Sequence, residues 1–577
     1  MGSLLWLDPA HWLNELSLFW HGELPYRDYS FQYPPFVVFL YGSLLRLFGA
    51  TFTNVQVITD LIDVAVIICF YLLIRRLFPP RLRFAVACFL VCVSATSLMN
   101  FNLFSYVTYS PSLQTGALGV ILLLFALIGF LARKRFGYAG WTLAAVGGFI
   151  AVLSKPESAV ASIFSLAVFA LIVRAPRTVL SIATVVFVPA AIAYASIAYA
   201  VGRSNLLAGM SGYGLATAFC PWWPTGLGVF SIVATLGEAC AFAALCSLPM
   251  RRAFSVAYGL RYRYLLWSGA LGAIIYASYI AYQSKHAIFS PGLALLERVR
   301  RTLPYVVYTS PILEPMLWVC IVVFLVLLWR AFSGRLAAAD AAILVLLSAP
   351  VAMSSRSLFN TTQSIFPEVS GICYPFLLVL GPYFLWRFLR PASVRYATVV
   401  VAALMFGYAA IRVAGGWPEM LSGTHYGTLY TEAGSVKLLN YDLDSKVYRY
   451  VLRHTSADDY VLDLPYGGGL NFASRRRYPI FNVQLYGLGV PPPYEQLDLD
   501  LMRQHPPRIV IGLNEANLGT YWGYGQKGDR ACVCPRLVWA PDRRSWDPDR
   551  VLPVAQYIEA HYRVVETIGD RAIWAPK

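Results

Sequence analysis

The chain has 577 residues, of which 58% are hydrophobic and 13% charged, against about 25% charged in an ordinary soluble domain. That balance, with a mean hydropathy of +0.58, excludes a soluble globular protein, a disordered chain and a disulfide-rich mini-protein, and implies many membrane spans. The net charge of +16 points to nucleic acid only if membrane topology does not account for it.

In chain order, Pro9 to Trp20 reads as a short helix with Asp8 at its start, a position where an aspartate caps. Phe36 to Phe48 follows Pro34-Pro35 and is apolar but short, as expected of a helix lying in the membrane interface. Twelve apolar runs of spanning length come next, at 54–78, 84–100, 113–132, 138–154, 156–173, 178–201, 228–249, 264–283, 315–332, 337–353, 371–389 and 394–413. Every second connection is basic, as at Arg75-Arg76, Arg133-Lys134-Arg135 and Arg251-Arg252. The positive-inside rule makes that side cytoplasmic. The positive excess is then a topology signal, and no nucleic-acid partner is expected. With an even number of spans both ends lie outside. The expected organisation is an outer first loop with interfacial helices at 1–53, a transmembrane module at 54–413 and an extracytoplasmic domain at 430–577, all anchored in a plasma membrane.

The tail has a different pattern. Val447 to His454 and Val551 to His561 read as helices; Tyr460 to Leu464, Arg508 to Leu513, Arg563 to Ile568 and Ala572 to Ala575 read as strands. This alternation suggests a small α/β domain. Gly467-Gly468-Gly469 reads as a turn and lacks the spacing of a dinucleotide or P-loop fingerprint. Cys532 and Cys534 form a lone C-x-C without a second pair to complete a tetrahedral metal site.

Chemistry is expected where ionisable groups gather at the outer face. Each such group inside a membrane costs roughly 2.5–3.5 kcal/mol on insertion scales and therefore faces a cavity or a partner. Lys155 and Glu157 lie in Ser-Lys-Pro-Glu, between two tightly linked spans. Asp60 and Asp63 lie in the outer half of the first span, and Arg356 and Asn360 in the outward segment Ser-Arg-Ser-Leu-Phe-Asn. Asp8 and Asp28 complete the set. Simpler roles compete: a helix-end ion pair for Lys155 and Glu157, helix–helix hydrogen bonds for Asp60 and Asp63, a lipid headgroup for Arg356, a turn for Asp28 and a cap for Asp8.

Several stretches then carry a resemblance. Asp8-Pro-Ala-His-Trp-Leu, His21-Gly-Glu-Leu-Pro-Tyr-Arg-Asp, Tyr33-Pro-Pro-Phe and Leu47-Phe-Gly resemble the first outer loop of GT-C glycosyltransferases, the polytopic membrane enzymes that use polyprenyl-phosphate sugars. The nearest group is the protein-mannosyltransferase and lipid-A-modifying branch. Ser154-Lys-Pro-Glu is similar to its lysine-bearing outer turn, and Tyr460-Val-Leu-Asp-Leu-Pro-Tyr-Gly with Leu470-Asn-Phe-Ala-Ser-Arg-Arg is similar to its extracytoplasmic domain. The resemblance covers the whole chain in layout. It implies a polytopic α-helical membrane protein with a C-terminal extracytoplasmic α/β domain. It also implies inverting transfer of a sugar from a polyprenyl-phosphate donor to a hydroxyl of a glycan, lipid or protein acceptor, at a site bordered by membrane lipids. Asp8 is then the catalytic base. Lys155 and Arg356 bind the donor phosphate with Asn360 as a further donor, and Asp28, Glu157, Asp60 and Asp63 are accessory. No obligatory metal is expected; the alternative is a divalent cation held by Asp8 and Asp28.

Two features depart from the family. Members have a membrane helix before the loop acid, whereas seven residues precede Asp8 here, so a preceding span is expected to be missing. Many members carry two adjacent acids, and Pro9 takes the second place. The main rivals are a transporter or flippase and a ligase or polymerase of lipid-linked saccharides; a non-catalytic scaffold is a further one. Transporters often show internal repeats and a midplane site; here the halves show no clear repeat and the polar groups lie at the outer edge.

Overall fold

The structure is a computed structural model. It describes residues 8–31, 33–78, 111–206, 313–359, 427–438, 441–464, 468–483, 492–513, 553–569 and 571–577, and the isolated positions 80, 83, 86, 87, 380 and 383.

Helix α1 (Asp8–Trp20) buries Trp12, Leu13, Leu16 and Phe19, and also the polar side chains of His11, Asn14, Glu15 and Ser17. A helix buried around its whole circumference must be enclosed by other elements. Helix α2 (Phe36–Phe48) begins after Pro35 and stops at Gly49, whose φ of 95° suits glycine. It buries Val37, Val38, Tyr41 and Leu45 but leaves Leu47 and Phe48 76% and 70% exposed. Two large apolar side chains at the mouth of a span fit a helix resting at a lipid boundary. Helix α3 (Phe52–Ile74) starts where the Thr51 hydroxyl accepts the Asn54 N–H at 3.2 Å, and a 3₁₀ turn at Arg75–Leu77 ends it.

The bundle continues with α4 (Pro111–Arg133), α5 (Tyr138–Ser154), α6 (Pro156–Val173), α7 (Pro176–Val201), α8 (Leu313–Phe332) and α9 (Ala338–Phe359). Short connections make α4–α5, α5–α6, α6–α7 and α8–α9 antiparallel neighbours. Gly119 and Gly147 bring the α4 and α5 backbones together so closely that a Cβ at either would strike the opposite main chain, the small-residue contact expected between membrane helices. Ser348 on α9 donates to Ser165 on α6 at 2.8 Å, and Arg174 just past α6 donates to the Ala331 carbonyl of α8 at 3.3 Å.

Among the described residues, four helices are long and apolar enough to cross a membrane: Phe52–Leu77, Pro111–Arg133, Pro156–Val173 and Pro176–Val201. The apolar stretches Tyr138–Ser154, Cys320–Phe332 and Ala338–Met353 are shorter. These seven segments match seven of the expected runs. The runs at 84–100, 228–249, 264–283, 371–389 and 394–413 lie outside the described residues apart from isolated positions.

The tail opens with a hairpin of β1 (Gly427–Thr431) and β2 (Gly434–Leu438), turning through Gly434 at φ 94°. Helix α10 (Tyr441–His454) follows. A four-stranded sheet then runs in the order β3 (Val461–Asp463), β4 (Ile509–Leu513), β6 (Arg571–Pro576), β5 (Tyr562–Ile568). The β3–β4 pair is parallel, the others antiparallel, with a register shift between Val564 and Glu566. Helices α11 (Gly469–Ser474), α12 (Pro492–Gln504) and α13 (Pro553–His561) complete it. The four strands and α13 lie where the sequence places them to within two residues; α10 begins six residues before Val447, Gly469 of the expected turn opens α11, and the β1–β2 hairpin and α12 have no counterpart in the sequence reading.

Among the described residues two apolar cores result. One lies within the helix bundle. The other is shared: Trp12, Tyr26, Tyr41, Phe52 and Val55 of the first 58 residues form one continuous cluster with Leu429, Phe472, Val510 and Trp574 of the tail. Backbone bonds join the same two regions, from Ser30 N–H to the Phe481 carbonyl at 2.7 Å and from Phe52 N–H to the Ala433 carbonyl at 3.1 Å.

Candidate active site

Lys155 owes its position to the residue after it. A proline at the first position of α6 forces Lys155 into extended backbone, φ −154° and ψ 143°. This interrupts α5 and α6 at one end of the bundle, and the Lys155 carbonyl caps α6 by accepting the Ser158 and Ala159 N–H groups, both at 3.1 Å. The side chain is only 6% exposed, and its Nζ lies 5.8 Å from the centroid of the Tyr33 ring, within range of a cation–π attraction.

Tyr33 is held in turn by the first loop. Its carbonyl accepts the Tyr26 hydroxyl at 2.5 Å. Tyr26 is fully buried and adopts φ 69°, uncommon for a side chain with a Cβ. The turn that places it is closed by Asp28, whose Oδ2 accepts the Leu24 N–H at 2.8 Å, while both carboxylate oxygens meet the Arg27 guanidinium at 2.7 and 2.8 Å. Partial burial raises the Asp28 carboxyl, but the Arg27 and Leu24 hydrogen bonds outweigh it, and its pKa lies below the ordinary value. Asp28 thus shapes the loop that presents Tyr33.

Beside this contact is a narrow cleft with about 10 Å³ of enclosed space, lined by His11, Trp12, Phe31, Tyr33, Val37, Pro111 and Ser112. It therefore joins α1, the loop after it, α2 and the start of α4. His11 faces Glu15 one turn on, Nε2 to Oε1 3.9 Å, both deeply buried. Burial pushes the His11 pKa down to about 3, so the imidazole is neutral at pH 7. Glu23, after α1, is pushed up to about 7 by burial and by Asp28, against the opposing pull of Arg477.

The remaining expected residues are distributed as follows. Asp8 is the first residue of α1, one turn before His11 and Trp12 of the cleft wall. Glu157 sits half-buried in the first turn of α6, where the helix dipole favours a carboxylate. Arg356 lies in the last turn of α9. The Ser165–Ser348 bond fixes the register of α6 against α9, and about 12 Å of helix on from Ser348 sets the Arg356 backbone level with the start of α6. Asn360 lies outside the described residues. Asp60 is exposed and accepts Gln56 Nε2 at 2.5 Å; Asp63 is buried one turn on, next to the layer where the Tyr41 and Thr59 hydroxyls meet at 3.0 Å. No group of three His, Cys, Asp or Glu side chains converges as a metal site among the described residues.

Sequence reasoning did not single out His11, Glu15, Trp12, Tyr33 or Glu23 as site residues. A signal existed for two of them: His11 and Glu15 follow Asp8 at three and seven residues, one face of a helix.

No protein-family model and no curated protein matches the chain. Solved structures that resemble it include the Archaeoglobus fulgidus oligosaccharyltransferase in the apo form, at 14% identity over 90% of this chain and 67% of that one, TM-score 0.45. The archaeal oligosaccharyltransferase AglB from the same organism, in complex with an inhibitory peptide and a dolichol-phosphate, is 14% identical over 100% and 71%, TM-score 0.42. ArnT from Cupriavidus metallidurans in the apo state is 12% identical over 100% and 94%, TM-score 0.42. At such identities and TM-scores the likeness transfers no residue role.

Proposed function

We propose that the chain is an inverting membrane glycosyltransferase that moves one sugar from a polyprenyl-phosphate donor to an acceptor hydroxyl at the outer face of a plasma membrane. The observation that carries this reading is Lys155, a deeply buried cation at a proline-forced break between two apolar helices, opposite an aromatic ring of the first loop and beside a cleft. A cation fixed at such a place is suited to the negative charge that a lipid phosphate gains as it leaves.

In the proposed reaction the acceptor oxygen bonds to the anomeric carbon as the bond from that carbon to the phosphate oxygen breaks. Asp8 takes the hydroxyl proton. The phosphate leaves with an added negative charge, which Lys155 and Arg356 stabilise in a partly dry pocket, with Asn360 as a further hydrogen-bond donor. Neutral His11 walls the cleft beyond Asp8 with Glu15 next to it, 3.9 Å away, and Glu157 opens α6 beside Lys155. Asp60 and Asp63 are accessory groups on α3. No metal is required in this scheme, because Lys155 and Arg356 are already cations. Basic connections at the opposite ends of the helices support an outward-facing site.

The test is transfer by purified protein in lipid, supplied with radiolabelled polyprenyl-phosphate sugars and a crude envelope acceptor. Transfer lost in Asp8→Asn and in Lys155→Ala is the expected result. Movement of donor across vesicles with no transfer would replace this reading by that of a flippase.

A further inference from the structure

Arg475 ends α11 in the left-handed backbone region, φ 56° and ψ 26°, a conformation that a residue with a Cβ adopts only when its surroundings hold it there. Its side chain leaves its own domain. The guanidinium stacks 4.5 Å from the centroid of the Trp20 ring and 5.4 Å from that of Phe472, and Nη2 donates to the Ala50 carbonyl. Trp20 is the last residue of α1, and Ala50 lies in the turn between α2 and α3. One side chain therefore ties the end of α1, the mouth of α3 and the tail together.

Neighbouring contacts repeat the connection. Phe472 meets Phe52 edge-on at 5.0 Å. Gly468, φ 108°, packs against the Asn14 side chain so closely that a Cβ would overlap it. On the other flank Arg46 of α2 donates to the Phe19 carbonyl at 2.6 Å. The carboxyl end of α1, the negative pole of its dipole, is thus held by two arginines from two different elements. The opposite end carries Asp8, and a 13-residue helix, about 20 Å of rigid rod, separates them.

We infer that Arg475 is a positioning residue for the transfer: it clamps α1 between the tail and the α2–α3 turn, and through that helix it sets the place of Asp8 relative to Lys155. The inference rests on the proposed function for its catalytic half; its structural half is measurable without activity.

Arg475→Gly is the informative variant, because glycine adopts the observed backbone without strain while the clamp is removed. The expected results are faster hydrogen exchange at the amides of α1, unchanged exchange in β3 and β4, and a kcat lowered on the order of tenfold to a hundredfold with the donor KM within about twofold. Trp20→Leu removes the ring from the other side, leaves the tail untouched, and is expected to reproduce both effects. Unchanged α1 exchange and unchanged kcat in both variants would overturn the inference. So would loss of protection in β3 and β4 together with α1, which would make Arg475 a general stabiliser of the tail. Absence of transfer by the wild-type chain with every donor would instead sink the proposed function, and the α1 exchange result would stand on its own.

Discussion

Lys155 Nζ and the Tyr33 ring face each other at 5.8 Å, a cation from the bundle opposite an aromatic of the first loop. If this cation receives the donor phosphate, removing its charge while keeping its stem should weaken transition-state stabilisation. Lys155→Met is expected to lower kcat/KM for the polyprenyl-phosphate sugar by about 10²–10³, measured by steady-state transfer. An unaltered kcat/KM would take Lys155 out of the mechanism.

Gly468 combines φ 108° with contact against Asn14. Alanine there meets both a strained backbone and an occupied space. Gly468→Ala is expected to cost about 1–3 kcal/mol from the backbone alone, and to loosen α1 from α11. Faster thermal inactivation, with protease sensitivity appearing between the first loop and the tail, would report it.

Asp498 gives the tail a pH dependence. It is fully buried, accepts the Asn482 N–H at 2.9 Å and the Asn482 amide at 2.6 Å, and is pushed up to about 7, chiefly by burial, with Glu495 adding to it. A carboxyl whose folded pKa lies above its unfolded value favours folding in its protonated form. Its contribution is complete below about pH 4 and is lost as pH rises through about 7. Proteolytic resistance of the segment 441–513 should therefore decline between pH 4 and pH 7, by at most about 4 kcal/mol by linkage. Asp498→Asn should flatten that profile; a slope that persists in the variant would point to another group.

The proposed chemistry uses fixed cations rather than a metal ion. Transfer is expected to survive exhaustive chelation. Activity abolished by chelation and restored by magnesium or manganese would give Asp8 and Asp28 the alternative role of cation ligands, and would require the Arg27–Asp28 pair to open.

Legibility in the sequence followed the range of the interactions. Spans such as Pro111–Arg133 and Pro156–Val173 were readable because each is a continuous apolar run with charge or proline at its ends. The break at Lys155 was readable because Pro156 constrains the residue before it. The strands at Val461 and Ile509 showed in their β-branched content. Short or non-local features were not readable. The β1–β2 hairpin is two five-residue strands. Asp28 gave no sign from composition whether it would serve a turn or a site, since its partners are the adjacent Arg27 and the Leu24 amide. The contacts of Asn14 with Gly468 and of Arg475 with Trp20 join positions more than 400 residues apart, and no local periodicity encodes them.

The shared core imposes an order on biogenesis. Trp12, Tyr26 and Phe52 cannot finish burying their rings until Leu429, Phe472 and Trp574 have left the ribosome. At about 5–20 residues per second the delay is on the order of a minute. During it these aromatic side chains lack the tail residues that complete their core. A nascent chain stalled within the last helices would present them to quality-control proteases and to other nascent copies, so the first loop would report whether synthesis of the tail had been completed.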